Sequence, residues 1–181
     1  PIIIWCKLSN IPGGSYRIIE SEAYLSPTAD SAGIEFTAFA SYIDANNRTV
    51  KGAFTFCYIR RNSTGSYQQE AHFCIFADGP PGERVAANGW AGYAHVNCVY
   101  YNCAGNGLYI GGGPLGSLSS CCVAMNCSWA YQPHSGWIGR IDRLYYYNCT
   151  NPGISQAIAL PGNPFRDPDN GDFRLADNEA G

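Results

Sequence analysis

The hydrophobic and polar positions of this chain follow a nine-residue pattern that occurs three times without gaps. The three copies are residues 95–103, 119–127 and 141–149. Each copy runs through short apolar or aromatic stretches and ends on an Asn-Cys pair. The first two Asn residues, Asn102 and Asn126, are 24 residues apart, and Asn148 follows after a further 22. A period of this length is typical of a solenoid, in which each repeat forms one coil.

Weaker copies of the pattern lie upstream. Asn46, Asn62 and Asp78 take the Asn position in these copies. A Gly followed by an apolar residue comes soon after the Asn position in later copies, as at Gly107 and Gly153, and indicates a second strand. No segment shows the sustained 3.6-residue apolar period and the caps of a helix. We therefore expect strand, turn, strand and loop in each repeat, with little or no helix.

The repeat predicts how the chain folds. One coil cannot bury its own apolar side chains, so coils stack with their strands parallel and about 4.8 Å apart. The fold class predicted is all-β, a right-handed parallel β-helix (solenoid) of about six to eight coils. The coils are expected over residues 33–162. Residues 1–32 are expected to form N-terminal strands, as an opening coil or a docking segment, and residues 163–181 a closing segment or tail.

Residues at the same place in successive coils stack, which gives the recurring Asn and Cys residues a structural role. Stacked Asn amides can form a hydrogen-bonded ladder, and Asn tolerates the left-handed backbone of a tight turn. The predicted ladder is Asn46, Asn62, Asn102, Asn126 and Asn148. The predicted stacked cysteines are Cys98 and Cys122 in one column and Cys103, Cys127 and Cys149 in another. They can serve as small buried thiols or form disulfides between coils.

Metal, nucleic-acid and membrane functions find little support in the composition. The cysteine spacing does not match a zinc site, and we predict no metal and no cofactor. Only 14% of the residues are charged and the formal net charge is −3, so there is no basic stripe for nucleic acid. No apolar run is long enough to span a membrane.

Four Asn-x-Ser/Thr sequons occur, of which Asn47 and Asn62 are the candidate glycosylation sites.

Residues 97–110 and 163–175 resemble the right-handed parallel β-helix repeat proteins of the pectate-lyase-like superfamily, the second segment being similar to the closing segment of secreted bacterial members. The resemblance covers residues 33–175. It implies the fold more strongly than an activity, because this superfamily includes lyases, hydrolases, adhesins and fibres.

Catalytic residues are harder to identify. The aspartate cluster, Gly-His-Gly and Arg-x-Lys of polygalacturonase-like members are absent from this sequence. A polysaccharide lyase or glycoside hydrolase would have to use acids and bases on the strand face. Those candidates are Arg60, Arg61, Asp78, Asp142 and Arg143. Tyrosines at equivalent strand positions are also expected to form, in part, an outward aromatic strip for sugars or a neighbouring subunit. They are Tyr100, Tyr101, Tyr145, Tyr146 and Tyr147.

The sequence as a whole favours a non-enzymatic, extracellular or cell-surface β-helix with a structural or adhesive role and glycan contacts. The sequence shows no amphipathic helix to cap an end of the solenoid, and exposed strand edges invite pairing with another chain. We therefore expect a homo-oligomer built by end-to-end or edge contacts, even a filament. The alternatives are a polysaccharide lyase or hydrolase and a trimeric glycan binder similar to phage tailspikes.

Overall fold

The structure is a computed structural model that describes residues 2–27, 34–48, 50–62, 69–79, 84–88, 94–104, 106–111, 118–133 and 140–176. Within these ranges the chain forms twenty β-strands and a single three-residue 3-10 turn. Fifteen strands belong to one sheet, and all their pairings are parallel and link successive passes of the chain. The predicted class, an all-β parallel solenoid with almost no helix, is confirmed. The right-handed sense of the coil stays a prediction.

The long sheet covers two faces of the solenoid. Strands of the first face are β1 (Ile2–Ile4), β3 (Gly14–Ile19), β5 (Ile34–Phe39), β7 (Val50–Thr55), β9 (Gln69–His72), β12 (Ala94–Val96) and the first parts of β15 (Leu118–Met125) and β17 (Arg140–Tyr147). Strands of the second face are β2 (Lys7–Ile11), β4 (Glu22–Leu25), β6 (Tyr42–Arg48), β8 (Tyr58–Asn62), β10 (Ile75–Ala77), β13 (Val99–Tyr101), the second parts of β15 and β17, and β18 (Ile158–Ala159).

A third face closes the solenoid over part of its length. Its strands are β11 (Arg84–Asn88), β14 (Asn106–Gly111) and β16 (Trp129–Pro133). The chain passes the first face eight times, but in the described residues only three passes have strands on all three faces. The described residues therefore contain fewer fully three-sided coils than the six to eight coils expected. Strands β1 to β4, within the segment 1–32 that we had set apart, stack on the same two faces as the rest.

The interior is filled by the inward side chains of the strands, because alternate residues of a strand point inward. Phe36, Phe54, Ile59, Phe76 and Tyr100 are among the largest fully buried side chains. Tyr100 stacks on Phe76 with ring centroids 5.7 Å apart. In-register stacking thus places rings of successive coils directly over one another.

The first and second faces meet at a corner made by one residue with a left-handed backbone in each coil, which we call the first corner. Their φ angles lie between 47° and 58°. The eight residues are Trp5, Glu20, Ala40, Phe56, Phe73, Asn97, Cys121 and Arg143. The backbone changes its hydrogen-bonding direction here. The amide of Asn97 donates to Ser120 of the following coil, whereas the amide of Val99 donates to Cys74 of the preceding coil.

The residue after each left-handed residue points inward, and these side chains form a column that we call the corner column. Its members are Cys6, Ser21, Ser41, Cys57, Cys74, Cys98, Cys122 and Leu144. Apart from Leu144, each donates from its thiol or hydroxyl to the carbonyl oxygen two residues earlier, at 2.8–3.5 Å.

Side chains of the corner column also accept from the backbone of the preceding coil. The amide of Ser21 donates to Oγ of Ser41 at 3.2 Å, and that of Cys57 donates to Sγ of Cys74 at 3.5 Å. A small side chain that both donates and accepts can serve both ends of this relay, which explains why every member of the column except Leu144 is Ser or Cys. All nine cysteines are free thiols in the structure.

Residues 165–175 fold back over the outside of the second face. They form an antiparallel hairpin of β19 (Phe165–Asp167), the 3-10 turn (Pro168–Asn170) and β20 (Asp172–Leu175). Phe165 and Phe173 pack there against an outward row that includes Tyr101 and Met125. The hairpin thereby buries side chains that would otherwise face water. Residues 177–181 of the predicted tail lie outside the described residues.

The relay predicts a difference between two substitutions of Cys74. Cys74→Ser keeps a donor for the His72 carbonyl and an acceptor for the Cys57 amide, so we expect a loss of about 1 kcal/mol or less. Cys74→Ala leaves both buried groups without this partner and should cost about 2–3 kcal/mol in the free energy of unfolding. Urea unfolding under reducing conditions measures both. Cys6→Ala, at an exposed member of the column, is the matched control. Equal stability of the serine and alanine variants would show that the relay contributes nothing.

Candidate functional site

A polar cleft lies between the second face and the turn of the C-terminal hairpin. Its volume is about 450 Å³. The strand side is formed by Tyr58, Arg60, Asp78, Tyr101 and Asn102, and the hairpin side by residues 168–171. A cleft of this size can hold a small ligand. It is the candidate site because it gathers charged, amide and phenolic groups from separate parts of the chain.

Parallel register brings the strand-side residues together. Arg60 of β8 is aligned with Ala77 of β10, and Ala77 with Tyr101 of β13, so these three outward positions are neighbours. Asp78 and Asn102 come one residue later, at a second corner where their φ angles are 55° and 51°. The cleft is therefore assembled from three successive coils.

Arg60, Asp78 and Asn102 form one hydrogen-bonded row along the cleft. Nε of Arg60 donates to Oδ2 of Asp78 at 2.5 Å, and Nδ2 of Asn102 donates to Oδ1 of the same carboxylate at 2.8 Å. The hydrogen bond to Asp78 raises the pKa of Arg60 above its ordinary value. These planar groups are held in place by one another before any ligand arrives, which lowers the entropy lost on binding.

Tyr101 connects the strand side of the cleft to the hairpin. Its hydroxyl donates to Oδ1 of Asp169, and its ring meets Phe173 edge-on with centroids 5.3 Å apart. Burial, and next the hydrogen bond to Asp169, raise the pKa of Tyr101 to about 12. Asp169 was not predicted as a site residue, because it falls in the closing segment or tail expected over residues 163–181. Only the fold-back of the hairpin, a contact across 68 residues, places this carboxylate in the cleft.

The five residues proposed for a catalytic site do not come together. Arg60 and Asp78 lie in the cleft, but Arg61 forms a two-pronged ion pair with the buried Asp44, at 2.8 and 2.6 Å. Asp142 and Arg143 belong to the first face and the first corner. Asp142 accepts a hydrogen bond from Ser120 at 3.2 Å. The strand-face catalytic set is thus divided between two corners of the solenoid.

The second corner contains part of the expected Asn ladder. Nδ2 of Asn148 donates to Oδ1 of Asn126 at 2.8 Å, and Asn102 donates to Asp78 as described. Cys103, Cys127 and Cys149 follow these Asn residues and stack in a second thiol column. Each donates to the carbonyl two residues earlier, at 3.1–3.6 Å. Cys98 and Cys122 lie in the corner column together with Cys57 and Cys74. The predicted set of stacked cysteines did not include Cys57 and Cys74, although their segments align with the repeat.

Two ladder assignments need correction. In-register pairing places Arg61, not Asn62, at the corner, and Asn62 is buried one residue later with its side-chain oxygen 2.9 Å from the amide of Val50. A buried Asn62 cannot carry a glycan in the folded chain, whereas Asn47 is exposed. Asn46 lies where the register shifts between Asp44 and Arg48, and its amide group donates to the Leu25 carbonyl at 3.4 Å.

The tyrosines expected to form an outward strip are largely covered. Tyr100 is fully buried beside His95, with Nδ1 of His95 2.5 Å from the Tyr100 hydroxyl oxygen, and Tyr101 is buried under the hairpin. Tyr145, Tyr146 and Tyr147 are partly buried. Among the residues that the structure describes, the exposed aromatic side chains are instead Trp5, Phe39, Phe56 and Phe73.

Neither a metal-binding group nor a membrane-spanning helix is found in the part of the chain that the structure describes. Among the described residues, no three His, Cys, Asp or Glu side chains are grouped so that they could hold a metal ion. Nor does the described part of the chain contain a helix long and apolar enough to cross a membrane.

Comparison with protein families, with curated proteins and with solved structures finds no match to this chain. The parallel solenoid is therefore established by the structure alone. Membership of the pectate-lyase-like superfamily and a secreted bacterial origin stay predictions.

The raised pKa of Tyr101 predicts a dependence of stability on alkaline pH. A phenol ordinarily ionises near pH 10, and the folded chain holds the Tyr101 proton to about pH 12. Its contribution to stability should be complete below about pH 10 and lost as the pH rises to about 12. Absorbance titration of phenolate, with urea unfolding at each pH, measures this. The phenolate titration of Tyr101→Phe should lack the component that ionises near pH 12, and this variant should lose less free energy of unfolding between about pH 10 and 12. Identical titrations of the two proteins would contradict the assignment.

Proposed function

We propose that this chain is a non-enzymatic, extracellular or cell-surface β-solenoid module with a structural or adhesive role, and that it binds a saccharide in the cleft. The observation that carries the proposal is the pre-ordered row of Arg60, Asp78 and Asn102 beside the half-buried Tyr58. Sugar hydroxyls both donate and accept hydrogen bonds, so carboxylate, amide and guanidinium groups in fixed positions suit them.

The charges in the cleft support a binding role over a catalytic one. Both oxygens of Asp78 accept hydrogen bonds from protein groups, and the Asp169 carboxylate accepts one from Tyr101. A general acid or base must exchange protons with the substrate, and here both oxygens of Asp78 and one oxygen of Asp169 are occupied by protein donors. Six of the nine thiols are buried, and burial would keep these six from reacting with oxidants outside the cell.

A polysaccharide lyase or glycoside hydrolase is the second candidate. It is favoured by one observation: Asp78 and Asp169 are two carboxylates lining the same cleft, together with Arg60. Glycoside hydrolysis uses a pair of carboxylates on either side of the bond that is cleaved. The candidate acids expected from the sequence were Asp78 and Asp142, and Asp169 was not among them.

Binding and turnover can be measured with the same ligands. Calorimetric titration with oligosaccharides from pectin, alginate and chondroitin should reveal a binder, and Asn102→Ala should weaken it about tenfold or more by removing one polar contact and loosening Asp78. Arg174→Ala is the matched control, because Arg174 is exposed on the hairpin and bonds Asp172 outside the cleft.

We expect no unsaturated or reducing ends to form during incubation with these oligosaccharides. Formation of either product, abolished by Asp78→Asn, would establish the enzyme instead. A ligand whose affinity is unchanged in Asn102→Ala would place the binding site elsewhere.

A further inference from the structure

Three free thiols are stacked at the second corner, in the second thiol column of Cys103, Cys127 and Cys149. Met125 and Tyr147, two residues before Cys127 and Cys149, are paired in register, which places the thiols of these two coils one above the other. The side chains of Cys127 and Cys149 share a hydrogen bond, as do those of Cys103 and Cys127. Sulfur atoms of successive coils are therefore neighbours along the column.

The spacing of the coils suits free thiols better than a disulfide. Stacked residues of a parallel sheet are about 4.8 Å apart, whereas a disulfide needs Cβ atoms about 3.8 Å apart. A disulfide between coils would therefore pull two strands together at the corner. All three cysteines of the column are free in the structure.

The same spacing suits a metal ion held between two sulfur atoms. A metal–thiolate bond is about 2.3 Å long, so a linear sulfur–metal–sulfur unit spans about 4.6 Å, close to the spacing of the coils. Thiolates are the ligands that a soft ion such as Cu(I) prefers. Zinc needs four ligands that converge on one point, and the described residues contain no group of even three. The column thus fits an ion that takes two ligands.

Access and charge select the gap between Cys127 and Cys149. Cys149 is half-buried at the end of the column, so an ion can enter from its side, whereas Cys103 and Cys127 are buried. A monovalent ion with two thiolates carries one negative charge, which is costly to bury and is better placed near solvent. The four cysteines of the corner column between Ser41 and Leu144 are all buried, so that column has no such entrance.

The backbone holds the two thiols in matching orientations. Nδ2 of Asn148 donates to Oδ1 of Asn126 at 2.8 Å, which links the residues directly before the two cysteines. Both Asn residues have a left-handed backbone, with φ angles of 50° and 53°. Each thiol donates to the carbonyl oxygen two residues earlier, at 3.1 Å for Cys127 and 3.6 Å for Cys149. Ligands ordered in advance lower the entropy lost on binding.

We propose that Cys127 and Cys149 bind one Cu(I) ion as two thiolates on opposite sides of the metal. Two S–H bonds break, two sulfur–copper bonds form, and two protons pass to solvent. Copper and sulfur keep their oxidation states, so no oxidant or reductant is consumed. This inference does not depend on the proposed saccharide binding.

The free thiols hold their protons at neutral pH. The hydrogen bond with Cys127, and next burial, raise the pKa of Cys149, and the hydrogen bond with Cys103 raises the pKa of Cys127. Each bound ion therefore displaces two protons. The dissociation constant for Cu(I) should fall about a hundredfold when the pH rises by one unit.

The test is an anaerobic titration of the full chain with Cu(I) supplied as its coloured complex with ferrozine. Loss of colour measures transfer of the ion to the protein, and thermal unfolding followed by circular dichroism measures the stabilisation. We expect the wild type to take up one ion per chain and to unfold at a higher temperature. The titration is repeated at about pH 6 and about pH 7 to measure the release of two protons.

Cys127→Ser and Cys149→Ser each remove one sulfur ligand and keep a donor for the carbonyl oxygen two residues earlier. Each should weaken binding by more than the roughly tenfold to hundredfold that loss of an outer-shell partner costs. Cys121→Ser is the matched control and should leave the dissociation constant unchanged. Cys121 is half-buried like Cys149, but its neighbours along the first corner are Asn97 and Arg143.

X-ray absorption of the copper-loaded wild type tests the site without any substitution, so the inference stays testable even if a serine variant does not fold. The spectrum should show two sulfur neighbours for each copper ion. The inference fails if the chain takes no Cu(I) from ferrozine, or if uptake is unchanged in Cys149→Ser. It also fails if the spectrum shows three or more ligands, which two stacked thiols cannot supply.

Discussion

In-register pairing of parallel strands across a left-handed corner is the constraint on which the rest of this structure depends. The amide at the left-handed residue donates to the following coil, and the amide two residues later donates to the preceding one. The residue between them needs a side chain that can accept from one coil and donate within its own. Ser and Cys meet this requirement, and Cys57, Cys74, Cys98 and Cys122 thereby become a structural column.

The same constraint creates the surface that carries the proposed function. Because register is maintained from coil to coil, each outward position becomes a row along the solenoid. Two adjacent rows provide Arg60 and, one residue later, Asp78 and Asn102, and the hairpin converts them into a cleft by adding Asp169. Another provides Phe56 and Phe73, which the left-handed corner turns outward. The repeat that stabilises the fold thus also produces rows of outward side chains along the solenoid, with no additional structural element.

The repeat period allowed the fold and much of the stacking to be predicted from the sequence. Where two repeats have the same number of residues between the two corners, as from Cys98 to Cys103 and from Cys122 to Cys127, the sequence alone predicts which residues stack on each other. The prediction failed where local alignment was ambiguous by one residue, at Arg61 and Asn62. It also failed where two extra residues enter the second corner, next to Asn46. Both errors arise because a strand register is decided by the whole stack of coils and not by one segment.

Long-range contacts set the remaining limit. Asp169 and Tyr101 are 68 residues apart, and no periodic signal connects them. The outward direction of Phe56 and Phe73 likewise depends on a left-handed backbone at residues that rarely adopt it. Sequence reasoning therefore located the repeat and half of the cleft, whereas the hairpin and the exposed aromatic side chains of the first corner required the structure.

Nuclear magnetic resonance detection of hydrogen-bond couplings tests the central claim most directly. The stacked corner predicts a coupling from the Asn97 amide to the Ser120 carbonyl and one from the Val123 amide to the Cys98 carbonyl, each spanning 2.9 Å. These couplings run in opposite directions on either side of one corner, which only a parallel, in-register stack produces. Couplings of the same amides to other residues, in an antiparallel or shifted pattern, would contradict the account.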